Sequence, residues 1–301
     1  MHSIKSLIMN NLRGTGVAMV TPFRKDGGVD FRALTGLTEH LVKGKVEYLV
    51  VLGTTGESVT LSKDEKQAVL NCVIEANDGR LPVVLGVGGN NTSEICKELN
   101  NLDATGLTAI LSVSPYYNKP TQRGIYEHYR TVAGASPLPI ILYNVPGRTG
   151  SNVLAETTLQ LASDVSNIVA VKEASGNMEQ VMRIIRDRPK GFLVISGDDA
   201  LTMPMIAAGA DGVISVIANA FAKEFSSMVR ASMAGELDKA RKGHYQLFDA
   251  MQAIFAEGNP GGIKAILNHM NLCDNKLRLP LVPVSRTLQT RLQELTAKIN
   301  G

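Results

Sequence analysis

The sequence predicts an α/β fold, a (β/α)8 TIM barrel with a C-terminal α-helical appendage. Three observations predict it. Eight short apolar segments recur along the chain, most gaps between them hold a helix-length amphipathic stretch, and several segments end in polar side chains. Near-continuous Val, Ile and Leu, without alternation, is how strands covered on both faces read. Eight strand-then-helix units in succession predict a closed barrel wrapped by helices.

The segments are Gly16–Phe23, Val46–Gly53, Leu81–Gly88, Leu107–Ser114, Leu138–Val145, Asn167–Ala174, Phe192–Asp199 and Gly209–Val216. The second gap opens with Ser62-Lys63-Asp64-Glu65, a capping box that satisfies the first free amides of a helix. The third opens at Thr92, and the fourth at Thr121 after a Pro-Tyr-Tyr-Asn-Lys-Pro loop. A doubly wound sheet is the alternative, but it needs a phosphate-cradling glycine loop after its first strand. The nearest candidate, Gly86-Val87-Gly88-Gly89-Asn90-Asn91, follows the third strand and lacks the last glycine. We expect residues 1–235 to form the catalytic barrel, its eighth helix lying within Ala218–Gly235. Residues 236–301 should be helical near Glu236–Glu257 and Gly262–Met270, and again at the end.

With 301 residues and 44% hydrophobic content, the chain can bury a large core. A formal charge of +3 is close to neutral for this length and argues against a nucleic-acid or membrane-surface protein. Arg183, Arg186, Arg188 and Lys190 read as a solvated helix face rather than a polyanion site. Cys72, Cys96 and Cys273 are far apart and odd in number, which suits reduced thiols in the cytoplasm. The patch Leu7-Ile8-Met9 is too short for a signal-peptide core, and no run approaches a membrane span.

In barrel enzymes chemistry sits where strands give way to the following loops. The second segment ends in Gly53-Thr54-Thr55-Gly56-Glu57 and the fourth in Ser114-Pro115-Tyr116-Tyr117. The fifth ends in Tyr143-Asn144-Val145-Pro146-Gly147-Arg148, the sixth in Lys172, and the seventh in Ser196-Gly197-Asp198-Asp199. Each alone has a plain structural reading: Lys172 could reach solvent, Tyr143 could be core, Thr54-Thr55 could be a turn, and Asp198-Asp199 could cap a helix. Their convergence on one rim favours a site. A lysine desolvated at a strand end is a usable nucleophile near neutral pH, and its natural product is a Schiff base with a carbonyl substrate. Glu173 should face away from Lys172.

The histidines, His2, His40, His128, His244 and His269, show no ligand spacing, so no catalytic metal is expected. Phosphate cups after the seventh and eighth strands are missing, and Asp198 and Asp199 would repel a phosphate there. Protons would then move through tyrosine and threonine hydroxyls.

Gly53-Thr54-Thr55-Gly56-Glu57-Ser58, the run Tyr143 to Gly150, Val171-Lys172-Glu173-Ala174 and Gly258-Asn259-Pro260 together resemble the dihydrodipicolinate synthase / N-acetylneuraminate lyase family, in order, from about Gly14 onward. The resemblance implies that Lys172 forms an imine with pyruvate and that Tyr143 is the general acid/base, linked through Thr54 to Tyr117. That tyrosine would reach in from a neighbouring subunit, implying an obligate dimer and usually a homotetramer, a dimer of dimers. Thr55 matches the pyruvate carboxylate cradle, Gly197 and Ile214 match backbone positions lining the pocket, and Arg148 matches the holder of the second substrate's carboxylate. The implied reaction condenses pyruvate with L-aspartate 4-semialdehyde on the way to diaminopimelate and lysine, with no external cofactor. Another pyruvate-dependent class I aldolase, of the neuraminate-lyase or hydratase–aldolase kind, is the alternative.

Members inhibited by lysine bind it at a subunit interface through positions matching Ser58, Asn90, Glu94 and Tyr116, all present here. Two positions that are histidine in well-inhibited members are Lys63 and Lys66. Their ammonium groups would repel a cationic ligand by about 1 kcal/mol each at ~4 Å, so feedback by lysine should be weak.

Overall fold

The eight apolar segments form eight parallel strands that close on one another in chain order. In the computed structural model, which describes residues 11–300, these are β1 (Gly14–Ala18), β2 (Tyr48–Val51), β3 (Val83–Gly86), β4 (Ala109–Val113), β5 (Ile140–Asn144), β6 (Ile168–Glu173), β7 (Leu193–Ser196) and β8 (Gly212–Ser215). The patch Leu7-Ile8-Met9 lies outside the described residues. The ring closes where Gly14 to Val17 of β1 pair with Gly212 to Ser215 of β8.

The strands are shorter than the apolar runs that announce them. The first run was expected to continue to Phe23, yet β1 ends at Ala18. Beyond it Val20 N–H donates to Asn219 Oδ1 (3.1 Å) instead of to a ladder, and Met19, Val20 and Phe23 are buried in the loop. Apolarity there marks burial and not strand.

Helices α1 (Phe31–Lys43), α2 (Lys63–Asn77), α3 (Thr92–Asn100), α4 (Gln122–Ala135), α5 (Ala155–Asp164), α6 (Met178–Asp187), α7 (Thr202–Ala207) and α8 (Ala222–Met233) follow the strands in turn. The capping box of α2 is complete: Glu65 N–H donates to Ser62 Oγ (3.1 Å) and Ser62 N–H donates to Glu65 Oε2 (2.9 Å). Asn91 caps α3 and Thr121 caps α4. Three further helices, α9 (Leu237–Ala253), α10 (Gly261–His269) and α11 (Arg286–Asn300), form the C-terminal appendage. Among the described residues no helix is long and apolar enough to cross a membrane.

Two apolar layers follow from the period of two. Outward strand residues such as Val17, Leu49 and Ile110 join the helices in one core, while inward ones such as Tyr48, Val84, Ile141 and Ile214 fill the barrel. Tyr48 needs a glycine opposite it, because a Cβ on Gly16 would lie 2.1 Å from its ring. Its hydroxyl donates across the barrel to Val213 O (3.3 Å).

Candidate active site

Lys172 ends the inward face of β6, 5% exposed, with Tyr143 of β5 beside it in register on one side and Ile195 of β7 on the other. The Lys172 ammonium stands 4.2 Å from the centroid of the Tyr143 ring, which is itself buried. Gly197 leaves room for the lysine stem. A Cβ there would lie 2.5 Å from Ala174 Cβ and 3.1 Å from Lys172 Cε.

These residues line a cavity of about 470 Å³ together with Thr54, Thr55 and Arg148. Thr54 and Thr55 lie in a 3-10 turn (Thr54–Gly56) that directly follows β2. Thr55 is buried and its Oγ1 accepts from Asn259 Nδ2 (3.0 Å). Arg148 is exposed on the single helical turn Pro146–Thr149 after β5, at the mouth. A second cavity of about 440 Å³ shares Thr54, Tyr143 and Arg148 with the first, so these side chains border two adjacent spaces.

Six of the eight expected site residues are thus brought together. Ile214 is buried in the barrel interior and is not among the side chains lining either cavity. Tyr117 lies apart: it is 88% exposed, with φ +71°, and lines neither space. Among the lining residues not foreseen as site residues are Met251, Gln252, Phe255 and Asn259, all from the C-terminal part of the chain. The Gly258-Asn259-Pro260 motif was the one sequence signal that could have drawn attention to this region.

Glu173 faces outward as expected, away from Lys172. It is 1% exposed and accepts hydrogen bonds from Asn144 Nδ2 (3.0 Å), Gln180 Nε2 (2.8 Å) and Ser175 N–H (2.8 Å). The two aspartates after β7 divide their duties. Asp198 lines the cavity and accepts from the Ala200 (2.9 Å) and Leu201 (3.2 Å) amides. Asp199 reaches across to the Val216 (3.1 Å) and Ile217 (2.8 Å) amides after β8. Burial pushes its carboxyl up to about 6, against the opposing pull of the Ser215 hydroxyl and those amides.

Of the expected effector positions, Ser58 and Tyr116 line the second cavity with Lys66. Asn90 donates to Tyr116 O (3.2 Å). Glu94 is paired with Lys97 (2.8 Å), and it lines a neighbouring hollow with Lys63 and Lys66. The hydrogen bond from Lys97 holds the Glu94 carboxyl below its ordinary value. The basic run near α6 is largely neutralised, since Arg186 pairs with Asp187 and Arg188 with Asp211. Among the described residues no group of three or more His, Cys, Asp or Glu side chains could hold a metal ion.

The model of the dihydrodipicolinate synthetase family matches residues 11–299. The chain belongs to this family. It is 54% identical to the 4-hydroxy-tetrahydrodipicolinate synthase of Flavobacterium psychrophilum over 287 residues, 95% of this chain and 98% of the relative. It is 50% identical to the enzyme of that name from Parabacteroides distasonis, over 96% of this chain and 98% of the relative. The dihydrodipicolinate synthase of Thermotoga maritima superposes with a TM-score of 0.93 at 40% identity, over 96% of this chain and 98% of that one. A monomeric dihydrodipicolinate synthase variant superposes with a TM-score of 0.94 at 39% identity, over 97% of this chain and 98% of that one. The rim described above is therefore the rim of a dihydrodipicolinate synthetase-family barrel.

Proposed function

We propose that this family member is a lyase that condenses pyruvate with L-aspartate 4-semialdehyde to 4-hydroxy-tetrahydrodipicolinate, the committed step towards diaminopimelate and lysine. The observation that carries the reading is the buried Lys172 amine held 4.2 Å from the Tyr143 ring centroid, in a cavity walled by Thr54 and Thr55.

Lys172 Nζ attacks the C2 carbonyl of pyruvate, and loss of water leaves an imine. Tyr143 removes a proton from the pyruvate methyl to give an enamine, with Thr54 as its hydroxyl partner. Thr55 receives the pyruvate carboxylate. The enamine carbon attacks the aldehyde, whose own carboxylate is held at the mouth by the Arg148 guanidinium, a planar two-pronged donor. The amino group of the second substrate then attacks the imine carbon, closing the ring and releasing Lys172. The carbonyl chemistry is supplied by the lysine itself, so no external cofactor is invoked.

The exposure of Tyr117 supports an assembly in which this tyrosine completes the site of a second subunit. We infer a pairing of subunits on that basis, within the dimer of dimers that the family resemblance implies.

The test is pyruvate-dependent consumption of L-aspartate semialdehyde, together with borohydride reduction of a pyruvate-only sample. Turnover with a reduced adduct on the Lys172 peptide is the expected result. An adduct without turnover moves the chain to another pyruvate lyase, and no adduct overturns the role of Lys172.

A further inference from the structure

The turn that carries Thr54 and Thr55 ends in a strained residue. Glu57 has φ +51° and ψ +33°, left-handed backbone that a side chain with a Cβ adopts at a cost, and it is 2% exposed. What holds it comes from the far end of the sequence. Glu57 Oε1 lies 2.6 Å from the ammonium of Lys264 on α10, with both side chains wholly buried. Its other oxygen, Oε2, accepts from the Arg278 amide (3.0 Å). Lys264 also donates to Lys276 O (2.9 Å) and stands 4.2 Å over the Phe23 ring. Burial pulls its ammonium below its ordinary value while Glu57 opposes that pull.

The same C-terminal element touches the other end of the tripeptide. Asn259, two residues before α10, donates its Nδ2 to Thr55 Oγ1 (3.0 Å). A threonine hydroxyl has one proton to donate and two lone pairs to accept with. With one lone pair occupied by Asn259, the Thr55 proton remains available to an anion in the cavity. Helix α10 and its leading loop thus grip the Thr55-Gly56-Glu57 segment at both ends.

We propose that the Glu57–Lys264 pair and Asn259 are positioning residues for substrate carboxylate binding, through which the C-terminal appendage sets the orientation of the Thr54–Thr55 cradle. This rests on the assignment of Thr55 to the pyruvate carboxylate. Asn259 itself lines the cavity, whereas neither Glu57 nor Lys264 does, so any effect of that pair on pyruvate is transmitted through the turn. Removing one member of a buried pair leaves an orphaned charge and costs stability whatever the pair's role. Stability alone therefore does not decide the matter.

The experiment compares the full-length wild type with Lys264→Met, Asn259→Ala and the double variant Glu57→Gln/Lys264→Met, in which no charge is left orphaned. Three quantities are read: the pyruvate concentration giving half-maximal borohydride adduct, kcat, and the shift of the thermal midpoint by pyruvate. We expect half-saturation to rise about tenfold in each variant, the scale of a lost buried hydrogen bond, with adduct still forming at saturating pyruvate and kcat within about threefold. In the double variant the thermal midpoint should recover towards wild type while half-saturation stays raised. Should the double variant and Asn259→Ala bind pyruvate like the wild type, the proposal is overturned and the pair serves folding alone. Should the wild type form no adduct, the role of Lys172 falls, and the pyruvate-induced midpoint shifts decide the positioning role instead. A wild type that shows no such shift overturns both.

Discussion

Asn144 and Glu173 hydrogen-bond to one another on the outer face of β5 and β6, one residue beyond the point where Tyr143 and Lys172 stand side by side on the inner face. Because side chains alternate along a strand, fixing the outer pair fixes the inner one. Glu173 receives only neutral donors, and Asn144 spends its carbonyl on the Val153 amide (3.0 Å), so each side chain is committed. Glu173→Ala should remove the acceptor shared by Asn144, Gln180 and the Ser175 amide, leaving the two side-chain NH2 groups only their bonds to Asn152 Oδ1 and Val153 O, and cost about 1–2 kcal/mol, with a fall in kcat. Glu173→Gln keeps the shape and should lose less. Urea unfolding with steady-state kinetics checks both, and an Ala variant with native stability and rate would refute the clamp.

Gly197 is a second steric condition on Lys172. In Gly197→Ala the added methyl meets Ala174 Cβ, which cannot swing away, as well as the lysine stem. Overpacking of this kind costs about 1–3 kcal/mol. Displacement of Lys172 should also slow imine formation by about tenfold or more, read as the rate of borohydride-trapped adduct at saturating pyruvate. Unchanged trapping would mean that the lysine approaches pyruvate by another path.

The barrel was legible because strands buried on both faces leave unbroken apolar runs, and the rim because polar residues interrupt those runs at their ends. Strand ends were not legible. Met19, Val20 and Phe23 are as apolar as β1 itself but are buried by packing in a loop. Lys172, Tyr143, Thr54, Thr55, Arg148 and Gly197 could be read as one rim since each lies at, or just beyond, the carboxyl end of a strand. Lys264 could not, and Asn259 only as part of the Gly258-Asn259-Pro260 motif, because no local pattern ties a helix near the end of the chain to a turn after the second strand. Only the closed fold brings them to Thr55 and Glu57.

His128 gives the stability a dependence on acid. It is buried on α4 with Nδ1 2.8 Å from Thr92 Oγ1, and its Nε2 has no hydrogen-bond partner among the described residues. Loss of water pushes the imidazole down to about 4 from its ordinary 6.5. Above about pH 6.5 the ring is neutral folded or unfolded, and its contribution is complete. Between about 6.5 and 4 the unfolded chain binds a proton that the folded chain refuses, so stability falls with pH, by up to about 3 kcal/mol. Asp199 works the other way. Its carboxyl, raised to about 6, keeps a proton in the folded chain that the unfolded chain has released, so stability rises as pH drops towards 4. Comparison with His128→Gln isolates the histidine. The variant should lose about 2 kcal/mol less than the wild type between about pH 7 and 4.5, measured by urea unfolding, whereas equal losses would exclude His128 as the source.

Glu94 is the one carboxylate among the four positions matched to the lysine effector site, and it is already paired with Lys97 at 2.8 Å. An incoming lysine would have to displace that partner while approaching Lys63 and Lys66, which line the same hollow. Each like-charge encounter costs about 1 kcal/mol at ~4 Å in water, enough together to weaken binding by more than tenfold. L-Lysine at sub-millimolar concentration should therefore leave the rate of aldehyde consumption unchanged. The double variant Lys63→His/Lys66→His should become more sensitive, and more so above the histidine titration range, where the imidazoles are neutral. Strong inhibition of the wild type by sub-millimolar lysine would show that these ammonium groups lie outside the effector's path.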